Sequence, residues 1–299
     1  MENTTNGYTT PVDCIKEHIL KRFSNTNPEF YDYIDSLIKK GVIKQNIIYC
    51  LENEKIKSPF VDSDGYIHIQ STFLCYMWIN SYYSLVMYEE LAVKYFENLQ
   101  QDKNHLINHT LISQTIDFQQ YAMSLFKSYS DWDLTIYPSP KTPDTSGKNY
   151  CDLATELTIY GMDYVLCHEF AHLELDHFHS TKNSIEKEKE ADNRAFELIL
   201  AGRNGSNNVS LEMGILMGLC GLIFAKPKIG SSTHPDIIER IKSFLELINP
   251  NDNSFHWCYV CMIIGVWDNK FSKNLDFLDN ENYKKMFYEL CDDIYQKEK

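Results

Sequence analysis

The chain has 299 residues, 43% hydrophobic and 23% charged, which is enough to bury a substantial core and unlike the make-up of a disordered protein. A formal net charge of −14, with arginine only at Arg22, Arg194, Arg203 and Arg240, sets aside nucleic acid and anionic membranes as partners, since both would be repelled. Nine cysteines without a spacing framework, and an N-terminal stretch (MENTTNGYTTPVD) with no basic-then-apolar leader, lead us to expect reduced thiols in a cytoplasmic protein.

Residues 1–12 read as a loose tail. CIKEHILKRF (14–23) and PEFYDYIDSLIKKGVIKQNIIYCL (28–51) have apolar residues at helical spacing, with Gly41 as a break between short helices. VDSDGYIHIQ (61–70) predicts a turn at Asp64-Gly65 and then a strand through Tyr66, Ile67 and Ile69. STFLCYMWINSYYSLVMYEELAVKYFENL (71–99) predicts a long aromatic-rich helix with Ser71 or Thr72 as its N-cap. Residues 129–149, rich in Pro, Ser, Thr and Asp, are loop, either bordering a cleft or connecting two helices.

YCDLATELTIYGMDYVLCHEFAHLEL (150–175) is apolar around most of its circumference, which predicts a central, buried helix. NSIEKEKEADNRAFELILAG (183–202) is a second helix, closed by Gly202 or Gly205, and residues 211–225 are a third. The loop KPKIGSST (226–233) leads to His234-Pro235 and the helix DIIERIKSFLELI (236–248). The apolar runs 213–225 and 257–267 are shorter than the roughly 20 residues of a bilayer span, so they predict buried helices and no integral membrane segment. Cys258 and Cys261 form a CxxC inside such a run and read as core thiols. The expected fold class is α+β, predominantly helical with a small β-sheet, in a single domain over 1–299.

The chemistry concentrates in HEFAH, residues 168–172. Helical residues four apart share a side, so His168 and His172 can converge on one ion; neutral imidazoles suit Zn²⁺. Glu169 lies about 100° around the helix, beside an open coordination position, where it could act as general base toward water. A third ligand is then required. A metzincin pattern is excluded, because Phe178 and Leu175 stand where its third histidine and its glycine belong. His177, on a continued helix, faces away from His168, and His179 lies too far along; helix-end packing or surface roles suit both.

EKEKEAD (186–192) offers Glu186, Glu188 and Glu190. At 100° per residue Glu188 shares the apolar face of Ala191, Asp192, Ala195 and Ile199, whereas Glu186 and Glu190 fall with Arg194 and Glu197 toward solvent. Two carboxylates one turn apart on a buried face need a partner. The expectation is that Glu188 ligates one zinc ion and Asp192 accepts the outer N–H of a ligand histidine. THPDIIERI (233–241) brings His234 and Arg240 as groups that could stabilise an oxyanion; equally, they could be a helix cap and a surface charge.

HEFAH, the EKEAD helix (188–192) and THPDIIERI, in that order, resemble the gluzincins related to HtpX and the CAAX-processing peptidases. The closer resemblance, over about residues 60–245, is to the Lit-type phage-exclusion peptidases, which YIHIQSTFLCYMWINSYYSLVMYEE (66–90) and LATELTIYGMDYVLCHEFAHLELDH (153–177) also match in pattern. The resemblance implies a gluzincin-like core and a zinc endopeptidase of antiphage defence. It further implies cleavage of translation elongation factor Tu on a trigger from a phage-derived peptide, with His234 assisting the oxyanion. Two competing expectations are a housekeeping or maturation zinc peptidase without a defence role, and a catalytically silent sensing or binding module.

Overall fold

A computed structural model describes residues 3–5, 10–44, 47–50, 55–94, 105–143, 147–203, 208–225, 227–229, 235–277 and 282–298. In chain order these form β1 (Asn3–Thr5), α1 (Lys16–Ser24), α2 (Phe30–Lys39), β2 (Ile47–Cys50), β3 (Phe60–Val61), β4 (Ile67–Gln70) and α3 (Ser71–Met87). They continue with α4 (His109–Ser124), α5 (Tyr150–Glu174), α6 (Ser184–Leu200), α7 (Asn208–Cys220), α8 (Ile237–Ile248), α9 (Phe255–Phe271) and α10 (Tyr283–Lys297). The protein is a predominantly helical α+β fold.

The sheet runs β1-β2-β4-β3. β2 pairs in parallel with both β1 and β4, and β3 folds back antiparallel on β4 through a turn at Asp62–Tyr66. That turn requires Gly65, whose φ is +86° and whose missing Cβ leaves room for the Val42 carbonyl. Two expectations are corrected here. Asn3–Thr5, read as loose tail, is a paired strand, and Val12 is fully buried. Ile47–Cys50, read as helix after the Gly41 break, is the parallel strand β2; a short unbroken apolar run has no period that tells a strand from a helix.

α3 and α5 form the centre. α3 is buried along most of its length, and three of its polar side chains bond to neighbouring elements: Trp78 Nε1 donates to Thr155 Oγ1 (2.9 Å), Thr158 Oγ1 to Ser81 Oγ (2.9 Å) and the Tyr76 hydroxyl to the Gly221 carbonyl (2.6 Å). Gln70 is its N-cap, without a side-chain bond, so neither Ser71 nor Thr72 has the expected role. α7 lies against α5 at Tyr160, Gly161 and Tyr164, with Gly214 and Gly218 supplying the close approach. The helix after Pro235 is capped by Asp236, whose carboxylate accepts from the Ile238 amide (2.8 Å). Among the described residues, no helix is long and apolar enough to cross a membrane. Cys258 and Cys261 are buried, free thiols.

Candidate metal centre and active site

α5 carries Tyr164, His168 and His172 one turn apart on one stripe. Its opposite side is anchored by Phe170, whose ring meets Phe30 (5.2 Å) and Phe23 (6.3 Å) edge-on under α1 and α2. Beside that, the buried Asp163 accepts from Arg22 Nε (2.7 Å) and Thr26 Oγ1 (2.6 Å). These contacts fix the rotation of α5, so the histidine stripe faces α6.

α6 begins with a capping box: the Asn183 side chain accepts from the Glu186 amide (2.9 Å), and Glu186 reaches back to the Asn183 amide (3.2 Å). Arg194 then forks onto Glu174 at 2.8 Å through two nitrogens, tying the end of α5 to the middle of α6. Aligned in this way, α6 turns Glu188 and Asp192 toward the histidines.

His168 Nε2 and His172 Nε2 are 3.2 Å apart. The Glu188 carboxylate closes the triangle, Oε2 at 3.4 Å from the first and Oε1 at 3.5 Å from the second. Among the described residues, these three are the group whose ligand atoms could share a metal ion, all within 4.8 Å of one another. The donor set fits zinc: four-coordinate bonds of 2.0–2.1 Å at tetrahedral angles place ligand atoms roughly 3.3–3.4 Å apart.

Asp192 fixes the first imidazole. Its Oδ1 accepts from His168 Nδ1 (2.9 Å), the Tyr164 hydroxyl (2.7 Å) and Arg240 Nη2 (2.7 Å), while Oδ2 accepts from Arg240 Nε (2.7 Å). Burial opposes ionisation here, but the Arg240 guanidinium and the His168 imidazole together outweigh it and hold the Asp192 carboxyl well below its usual range. It therefore accepts, and the His168 proton on that side stays on Nδ1. Burial pushes His168 down; the Asp192 and Glu188 carboxylates more than reverse this and raise it to about 9. Burial and the neighbouring His168 charge push His172 down to about 4. Glu188, despite burial, is held below the usual carboxylate range by His168.

Glu169 lines the same cleft, a space of about 270 Å³ walled on its apolar side by Phe60, Val61, Phe73 and Leu222. Burial raises its carboxyl to about 7, so it exchanges a proton near neutrality. A larger cavity of about 770 Å³, between α1 and the first half of α5, shares no lining residue with this cleft and contains none of these groups.

Apart from His234, the other candidate site residues have definite places. Arg240 lines the cleft, with two of its nitrogens committed to Asp192. His234 lies outside the described residues. Glu186 belongs to the helix cap, and Glu190 pairs with Lys182. His177 is buried, and its Nδ1 lies 2.8 Å from His172 Nδ1. Helical phase placed it facing away because α5 stops at Glu174 and the chain reverses. Tyr164 went unnoticed: in sequence it is one aromatic among many, and only its spacing of four from His168 hinted at it.

A comparison with known families matches residues 67–260 to Peptidase U49. No curated protein and no solved structure shows significant similarity to the chain. The matched span covers nearly two thirds of the sequence and contains Tyr164, His168, Glu169, His172, Glu188, Asp192 and Arg240. The chain belongs to the Peptidase U49 family, a family of proteases.

Proposed function

We propose that the protein is a zinc-dependent endopeptidase, with His168, His172 and Glu188 as the ligands of one zinc ion and Glu169 as general acid–base. The observation that carries this reading is the triangle of two imidazole nitrogens and one carboxylate, with edges of 3.2, 3.4 and 3.5 Å, in a cleft that Glu169 also lines. Bound there, zinc would supply Lewis acidity toward a peptide carbonyl oxygen and a water molecule.

The chain's own residues do the rest. Glu169 takes a proton from the water that adds to the scissile carbonyl, then gives it to the departing amine nitrogen. The Asp192–His168 bond keeps one ligand imidazole in the tautomer that leaves Nε2 free. Arg240 keeps Asp192 ionised. β3 is the terminal strand of the sheet and lines the cleft with Phe60 and Val61, so an extended substrate can add along it. The apolar wall of Phe73 and Leu222 suits an apolar side chain next to the cleaved bond.

The resemblance to Lit-type peptidases supports a host target, elongation factor Tu, cleaved in antiphage defence. The test is Glu169→Gln. It should retain metal, by elemental analysis, while losing at least about 10²–10⁴-fold in cleavage. Terminal-peptide proteomics of producing cells, with and without phage infection, should show one dominant cleaved translation factor with the wild type and none with the variant. Many unrelated cleavages would instead indicate a maturation peptidase. A fully active Glu169→Gln protein would remove the mechanism.

A further inference from the structure

α5 ends in a Schellman motif. The His177 amide donates to the His172 carbonyl (3.0 Å) and the Asp176 amide to the Leu173 carbonyl (3.1 Å), while Asp176 sits at φ +51° in the left-handed region. This reversal folds residue 177 back over residue 172. The position usually carries an apolar side chain against the last turn. Here it carries an imidazole, 5% exposed, with its ring edge-on to His172 at 4.9 Å and 74°.

We propose that His177 is a positioning residue of the metal centre: it accepts the Nδ1–H of His172 and so leaves Nε2 of His172 as a lone pair aimed at His168 and Glu188. The inference rests on the metallopeptidase reading above. Two ring nitrogens 2.8 Å apart share one proton, so one donates and the other accepts. For His172 to present Nε2 as a ligand, its own proton must sit on Nδ1, which makes His177 Nδ1 the acceptor and puts the His177 proton on Nε2. Glu190 Oε2 lies 3.4 Å from that nitrogen and is itself held by Lys182.

The two ligand histidines thus have different supports. His168 leans on a carboxylate whose charge Arg240 offsets; His172 leans on a neutral ring, which orients it without adding charge beside Glu188. The helix cap and the metal centre are one construction. Asp176 makes the turn and His177 uses it.

Zinc affinity, read by competition with a chromophoric chelator, and the visible spectrum of the Co²⁺-loaded protein test this. His177→Leu keeps an apolar contact at the capping position but has no acceptor, whereas His177→Asn places Oδ1 near the lost Nδ1. We expect His177→Leu to lose roughly 10- to 100-fold in zinc affinity and to shift the Co²⁺ bands, and His177→Asn to restore both. Wild-type affinity and an unchanged Co²⁺ spectrum in His177→Leu overturn the proposal while leaving the metallopeptidase reading intact. A wild-type protein that binds neither ion overturns both. A measurement that needs no variant is the ¹⁵N-histidine spectrum of the zinc-loaded protein: it should show His172 protonated on Nδ1 and His177 on Nε2. A His177 carrying its proton on Nδ1 overturns the proposal.

Discussion

Four donors meet on the carboxylate of Asp192: the Tyr164 hydroxyl, His168 Nδ1, and Nε and Nη2 of Arg240. Of these, the guanidinium matters most, because it sets a permanent positive charge, through two nitrogens, against a carboxyl that is almost wholly buried. A buried ion pair adds little net stability over an apolar pair of the same shape, yet removing one partner strands the other. Asp192→Asn therefore leaves Arg240 buried without a counter-charge and should cost about 3–5 kcal/mol. Tyr164→Phe removes a hydrogen bond to Asp192 (2.7 Å) and a longer one accepted from Arg240 (3.2 Å), but leaves those two groups bonded to each other, and should cost only about 0.5–1.5 kcal/mol. Urea denaturation of both variants checks the order. Equal losses would mean that the pair contributes through shape and not through charge. The same two variants separate chemistry from stability: Asp192→Asn also replaces the charged acceptor that orients His168 with a neutral amide oxygen for which Arg240 competes, so its zinc affinity should fall by roughly 10- to 100-fold.

The position of α5 is set by what lies behind it. α7 comes so close that a Cβ at Gly214 would stand 2.2 Å from Tyr160 Cβ and 2.8 Å from its carbonyl carbon. Gly214→Ala forces the two helices apart, which should cost about 3 kcal/mol, the upper end of ordinary overpacking, and lower activity by tilting the histidine stripe. Gly265→Ala is the contrast: in α9 its Cβ meets only the tip of Phe277 at 3.2 Å, and the gain in helix propensity, about 1 kcal/mol, offsets that contact. Denaturation midpoints for both, with peptidase activity for the first, decide it. The helices were legible in the sequence because a long apolar pattern with a capping box leaves little choice; α5, α6 and α8 lie within a few residues of their expected limits. The strands were less so. β1 is three polar residues whose pairing comes wholly from β2, distant in sequence, and β2 has no alternation to read. Within the site, the phase of α6 separated Glu188 and Asp192 from Glu186 and Glu190, since burial alone dictates that split. His177 was hidden because Asp176, not glycine, takes the left-handed turn, and nothing in the local sequence announces the end of the helix.

Across the molecule, each of the four arginines grips a carboxylate: Arg22 on Asp163, Arg194 on Glu174, Arg203 on Glu212 and Arg240 on Asp192. Two of those carboxylates belong to α5, and Arg194 and Arg240 both fasten α6, so the helices that present the proposed metal ligands are joined independently of any ion. One hydrophobic cluster, from Val12 to Ile294, continues beneath them. This architecture predicts how the protein would respond to losing the proposed zinc ion. A domain folded by its ion unfolds when the ion is stripped. Here the core and the ion pairs hold the fold, and a bound ion would add only its binding free energy to the native state. At 100 to 1,000 times its dissociation constant that is about 2.7–4.1 kcal/mol. For a chain of this size the melting temperature should fall by about 4–7 °C on treatment with a strong chelator, and rise again with added zinc. Far-ultraviolet circular dichroism at room temperature should remain that of a helical protein throughout. Glu188→Gln, which weakens the ligand set, should melt near the chelated wild type and respond little to either treatment. A helical signal that collapses with chelation would place the ion in the foundations of the fold; a melting temperature that ignores chelator and zinc alike would remove the ion from the native protein.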